Sequence, residues 1–156
     1  MPRWLMPLVA VATLLAAPVA VADPPDYRQW DGVLVRNVRN GFVDYDGIRA
    51  DPAFARFVTQ LGTATEPDLP DRAARLAFYI NAYNALAIQG VLDGRSPASV
   101  LGRSAFFRRA RYRVLGAELS LDDIEKQRLA VFAEPRVHFA IVCASLSCPR
   151  LASRAY

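Results

Sequence analysis

The sequence has few of the residue types and motifs on which most enzyme sites are built. Its 156 residues include one histidine and two cysteines, and they contain no glycine-rich phosphate loop, no Gly-x-Ser-x-Gly motif and no internal repeat. A nucleotide-binding P-loop, the nucleophile elbow of an α/β-hydrolase and a repeat solenoid are therefore excluded. The length leaves room for one domain, and no cofactor is expected.

A long apolar run occurs only at the N-terminus. Arg3 precedes an uncharged apolar stretch that ends in Ala20-Val21-Ala22, which fits the small-x-small rule for cleavage. This pattern predicts a secretory signal peptide over residues 1–22. A membrane anchor is the alternative, but the run is short and is interrupted by prolines. The protein is thus expected to be exported, to the periplasm or the extracellular space, with no transmembrane segment after cleavage.

The charge balance of the chain is mildly basic. Because Arg3 is the one charged residue of the signal peptide, cleavage lowers the formal net charge from +4 to +3. Such a charge requires no polyanionic partner, and nucleic acid is not an expected ligand. Residues 103–113 mix arginines with aromatic side chains, which in an exported protein indicates a solvated edge or contact with an anionic surface. The expected partner is a small molecule or a component of the cell envelope.

The most distinctive element is a helix predicted over residues 71–92. Asp71 can cap it, and no charged residue occurs between positions 76 and 92. A helix that is apolar nearly all round is buried in the centre of a domain. Asn81 and Asn84 share one face of it and need hydrogen-bond partners, because an unpaired buried amide is costly. They either hold neighbouring loops or, together with Tyr79, line a polar pocket.

Two further stretches favour β-structure. Residues 112–120 alternate around Leu115-Gly116, which predicts a hairpin with a tight turn. Residues 137–142 are short, rich in β-branched and aromatic side chains and preceded by Pro135, which favours a strand covered on both faces. The predicted fold is α+β: helices packed on a small mixed sheet, with the buried central helix and the buried strand at about residues 137–142.

The only histidine and both cysteines lie close to that predicted strand, and one hypothesis makes them a thiol site. Pro149 suits the first position of a helix, so Cys148 would be its N-cap, where helix amides acidify a thiol. His138 is the only imidazole available as general base. Glu125, Asn81 or Asn84 could orient it, as the third group of a catalytic triad does.

Two other hypotheses use the same residues differently. His138, Cys143, Cys148 and Glu125 could supply four ligands of the type that zinc prefers, but their spacing matches no standard zinc motif, so no metal is expected. Alternatively, Cys143 and Cys148 form a disulfide, which is the default in an oxidising compartment. So short a closed loop contributes only ~2 kcal/mol to the free energy of unfolding. The disulfide and a free catalytic Cys148 exclude one another.

Three blocks of the sequence resemble the DUF547 family, a domain of unknown function found in bacteria and plants. They are residues 77–86, 120–125 and 137–149, and the resemblance runs from about Val43 to the C-terminus. It implies an α+β domain without a settled activity. Where family members often have Glu-His, this chain has Glu125-Lys126.

Family members usually continue well past the Ser-Cys-Pro sequence with which the third block ends. The resemblance therefore implies a single domain over residues 23–156 that is incomplete at its C-terminus. The expected function is that of an exported binding or structural module of the cell envelope. The alternative is an exported thiol-dependent hydrolase or transferase that uses Cys148 with His138.

Overall fold

The computed structural model describes residues 24–145 and 148–156, so the predicted signal peptide lies outside the described residues. The helices are α1 (Tyr27–Asn37), α2 (Tyr45–Ala50), α3 (Pro52–Thr63), α4 (Arg72–Leu92), α5 (Val100–Ser104), α6 (Leu121–Asp123) and α7 (Val137–Ala140). The strands are β1 (Val38–Arg39), β2 (Phe42–Val43), β3 (Tyr112–Val114) and β4 (Ala117–Leu119). None of the described helices is long and apolar enough to cross a membrane.

The α+β class is confirmed, but the β-structure is smaller than expected. The strands form two separate antiparallel hairpins, β1–β2 and β3–β4, rather than one mixed sheet. The predicted hairpin is β3–β4, with Tyr112 paired to Leu119. Leu115 and Gly116 have positive φ, as the tightest hairpin turns require. Their amides donate to the carbonyls of Leu61 and Gly62, which joins the turn to the end of α3.

The central helix is confirmed as α4. Asp71 is its N-cap, and the Asp71 carboxylate accepts a hydrogen bond from the Ala74 amide at 2.8 Å. Burial is nearly continuous from Phe78 to Ile88. Close approach at Gly90 lets Phe106 pack on α4, because a Cβ at that position would lie 2.9 Å from the Phe106 ring. The absence of charge from the middle of this helix follows from its central position.

The main aromatic contact joins α1 to α3. Trp30 and Phe57 are both 0% exposed, and their rings stack with centroids 5.0 Å apart and an interplanar angle of 3°. Phe54 packs against the same indole at 6.1 Å. The Trp30 Nε1–H donates to the Asn81 Oδ1 at 3.2 Å, so the polar edge of the indole is paired with α4. This contact connects three helices in one core.

The predicted strand at residues 137–142 is wrong. Residues 137–140 form the short helix α7, and the backbone becomes extended only at Ile141. Burial follows a helical pattern, with Val137, Ala140 and Ile141 buried but His138 and Phe139 exposed. No described strand lies alongside to accept ladder hydrogen bonds, so the β-propensity of this short run does not decide its conformation.

A continuous helical segment follows the β3–β4 hairpin and leads to the candidate site. Ser120 and Asp123 form a capping box, with each side chain bonded to the other residue's amide. Helix α6 then continues as a π-helical stretch, Ile124–Leu129, and a final 3₁₀ turn, Ala130–Phe132. Ala133 has a positive φ of 47° and ends the segment. Helix α7 follows at Val137.

Candidate functional site

Glu125 and His138 lie on the same open cleft, between the π-helical stretch and α7. The cleft encloses about 430 Å³. Its lining residues are Glu125, Lys126, Leu129, Ala130, Ala133, Glu134, Pro135, Val137 and His138. This size falls in the range of small-molecule sites, and an apolar floor with a few polar groups is their usual composition.

Two of the four charged or titratable residues on the cleft already have partners. The Arg136 guanidinium donates to both Glu134 carboxylate oxygens, at 2.8 and 2.6 Å, and these bonds lower the pKa of Glu134 to about 2. Lys126 pairs with Asp122 at 2.6 Å. Within the described part of the chain, the side chains of Glu125 and His138 make no hydrogen bond or ion pair, although their backbone groups do. They are therefore the groups available to a ligand.

The Glu125 carboxylate also affects a buried tyrosine of α4. Burial raises the pKa of Tyr83 well above its ordinary value, and the negative charges of Glu125 and Asp122 raise it further. Tyr83 is only 2% exposed. Its phenol thus remains protonated at every physiological pH and can act only as a neutral hydrogen-bonding group near Glu125.

The two cysteines are bonded to each other. Cys143 and Cys148 form a disulfide with their Cα atoms 6.0 Å apart, and the described residues contain no free cysteine. Cys148 lines a different hollow from His138, beside the β1–β2 hairpin and Arg150. No helix begins at Pro149 in the described segment 148–156, so Cys148 is not a helix N-cap.

Asn84 bonds to the backbone that follows α7. Its Nδ2 donates to the Ala140 carbonyl at 2.8 Å, and its Oδ1 accepts from the Val142 amide at 2.9 Å. The carboxamide therefore replaces the neighbouring strand that residues 140–142 lack. It also borders a hollow of about 20 Å³, which is about the size that holds one water molecule.

Asn81 holds the C-terminal backbone in the same way. Its Oδ1 accepts from the Tyr156 amide at 3.1 Å and from the Trp30 indole, while its Nδ2 donates to the Tyr156 carbonyl at 2.9 Å. Both asparagines thus bond to the backbone of distant segments, as the loop-holding interpretation expects.

Tyr79 lines another open cleft, of about 500 Å³, on the other side of the π-helical stretch. Three arginines border it, namely Arg72, Arg75 and Arg128. Arg72 lies over the Phe132 ring at 5.3 Å, and Arg75 pairs with Glu66 at 3.5 Å. Burial raises the pKa of Tyr79.

The structure does not bring the sequence-derived candidates together around one pocket. Glu125 and His138 share a cleft, Cys148 borders another hollow, and the asparagines face backbone groups. No group of three or more His, Cys, Asp or Glu residues within the described ranges could hold a metal ion. The apolar floor of the cleft was not predicted, because it combines Leu129 and Ala130 of one segment with Val137 of the next. The signal was present in Glu125, Leu129 and Ala133, which repeat at a spacing of four.

The fold and the cleft define a small α+β domain with a ligand-sized surface depression. The family model described as "Protein of unknown function, DUF547" matches residues 67–156. The chain therefore belongs to the DUF547 family. The match begins later than Val43, but it includes all three blocks that carried the resemblance. No curated protein and no solved structure gave a significant match.

Proposed function

We propose that this chain is an exported, non-catalytic binding module of the cell envelope that takes a small ligand in the Glu125–His138 cleft. The observation that carries the proposal is the bond between Cys143 and Cys148. A thiol that is held in a disulfide is not a nucleophile, since the thiolate is the reactive form. The disulfide also suits the oxidising compartment to which the N-terminal pattern directs the protein.

The composition of the cleft indicates the chemical class of the ligand. Leu129, Ala130 and Val137 supply apolar contact, while Glu125 offers a carboxylate without a partner. A ligand with an apolar body and a cationic or hydrogen-bond-donating head fits these groups best. Charge-assisted hydrogen bonds are stronger than neutral ones, so the head would determine the orientation of the ligand.

Titration with benzylammonium, followed by proton NMR, tests this assignment. His138 is the only histidine of the chain, so its imidazole resonances report on the cleft without ambiguity. We expect saturable shifts with benzylammonium and none with benzoate. Glu125→Gln should weaken binding about tenfold or more, because it removes a charged acceptor. Glu118→Gln, an exposed change of equal charge on β4, should leave binding unchanged.

Two results would count against the ligand cleft. One is the absence of any saturable shift, and the other is a shift that Glu125→Gln does not affect. The thiol-dependent hydrolase or transferase is the competing function, and it requires Cys148 to be reduced. Rapid alkylation of Cys148 in the native protein, slowed by His138→Ala, would favour that enzyme over the binding module.

A further inference from the structure

Helix α5 and the π-helical stretch that follows it, Ala105–Arg109, carry an exposed surface that the proposed ligand cleft does not use. Val100 and Leu101 are 83% and 75% exposed, although they are large aliphatic residues. Arg103, Arg108 and Arg109 are exposed on the same helical segment. These five residues are called the basic–apolar patch below.

Helix geometry places the apolar and basic groups on one side of the segment. An α-helical turn takes 3.6 residues and a π turn takes more, so two turns across this junction span about eight residues. Val100 therefore shares a side with Arg108, and Leu101 shares a side with Arg109. Phe106 marks the opposite side, because it is 0% exposed and packs against Gly90 of α4.

In the sequence around the basic–apolar patch, the charged residues are all positive. Residues 95–113 contain six arginines and no acidic residue. Arg95 and Arg111 are paired with Asp93 and Asp123. Arg103 donates only to the Pro97 carbonyl, at 3.4 Å, while Arg108 and Arg109 have no partner among residues 24–145 and 148–156. The patch thus presents positive charge that the described surface does not neutralise.

We propose that the basic–apolar patch docks on an anionic phospholipid bilayer. Arginines attract the lipid phosphates, and neighbouring aliphatic side chains enter the boundary between headgroups and acyl chains. This pairing distinguishes a bilayer from a soluble polyanion, which would use the arginines but would gain nothing from Val100 and Leu101. The inference goes beyond the ligand cleft and does not depend on it.

Co-sedimentation with vesicles tests the docking surface. The processed chain that begins at Asp23 is used, because an apolar leader would itself enter lipid. We expect it to bind vesicles that contain phosphatidylglycerol more tightly than vesicles of phosphatidylcholine alone, and to bind less tightly as salt is raised. Arg108→Gln with Arg109→Gln should weaken binding about 30-fold, or about fivefold for each arginine. Val100→Ser with Leu101→Ser should weaken it about tenfold or more.

Matched controls separate a defined patch from general charge and general hydrophobicity. Arg28→Gln with Arg39→Gln removes the same charge from exposed sites elsewhere, and Val35→Ser with Val131→Ser removes exposed aliphatic groups elsewhere. Both control pairs should bind like the parent. Absence of binding to phosphatidylglycerol vesicles at low salt, or equal losses in the controls, would overturn the proposal. So would binding to duplex DNA that matches vesicle binding and is insensitive to the Val100 and Leu101 changes.

Discussion

Trp30→Ala is expected to lower the free energy of unfolding by about 3–5 kcal/mol, the usual cost of removing a large aromatic side chain from a core. The indole is fully buried, stacks on Phe57 and bonds to Asn81, so its loss affects three helices together. Natural domains have a free energy of unfolding of about 5–15 kcal/mol, so this one substitution removes a large part of that free energy. Denaturant unfolding followed by far-ultraviolet circular dichroism measures the effect.

Two companion variants separate packing from hydrogen bonding. Trp30→Phe keeps an aromatic ring against Phe57 but loses the Nε1–H donor, and should cost about 1–3 kcal/mol. Val35→Ala on the exposed side of α1 should change stability by less than about 0.5 kcal/mol. Equal and small losses in all three variants would contradict a core organised around Trp30.

Asn84→Ala is expected to cost about 2–4 kcal/mol, because it leaves two backbone groups without partners. The Ala140 carbonyl loses its donor and the Val142 amide loses its acceptor, in a segment without a neighbouring strand to replace them. Trp30 is the only tryptophan after the predicted cleavage, so its fluorescence can follow the unfolding of this variant.

A change on the same helix provides the control for Asn84. The Gln89 side chain makes one exposed hydrogen bond, to the Asp93 side chain, so Gln89→Ala should change stability by less than about 0.5 kcal/mol. If Asn84→Ala is as mild as Gln89→Ala, then the carboxamide does not hold the segment after α7. The lining of the small hollow would then be the more important role of Asn84.

The elements that the sequence predicted are those with strong local signals. Helix α4 has a cap at Asp71 and a long uncharged run, and both signals are independent of the rest of the fold. The β3–β4 turn was predicted from the local alternation around Leu115 and Gly116. Such features form from residues that are near one another in the chain, so a sequence pattern is enough to locate them.

The features that the sequence did not predict depend on distant contacts. Residues 137–142 contain strand-forming side chains, but a strand also requires a neighbour, and the Asn84 carboxamide takes that place instead. Cys148 and His138 likewise line different hollows in the folded chain. Their sequence separation of ten residues permits either arrangement. The closeness of these two residues in the sequence therefore favoured one shared pocket, whereas the structure has two separate hollows.

The intact mass of the native protein, produced from the full chain, tests the central claim most directly. We predict a chain that begins at Asp23 and whose mass is lower by the two thiol hydrogens of Cys143 and Cys148. Iodoacetamide should add nothing before reduction and should label both cysteines afterwards. A native protein with two free thiols would contradict the disulfide. A protein that retains residues 1–22 would contradict the proposed export.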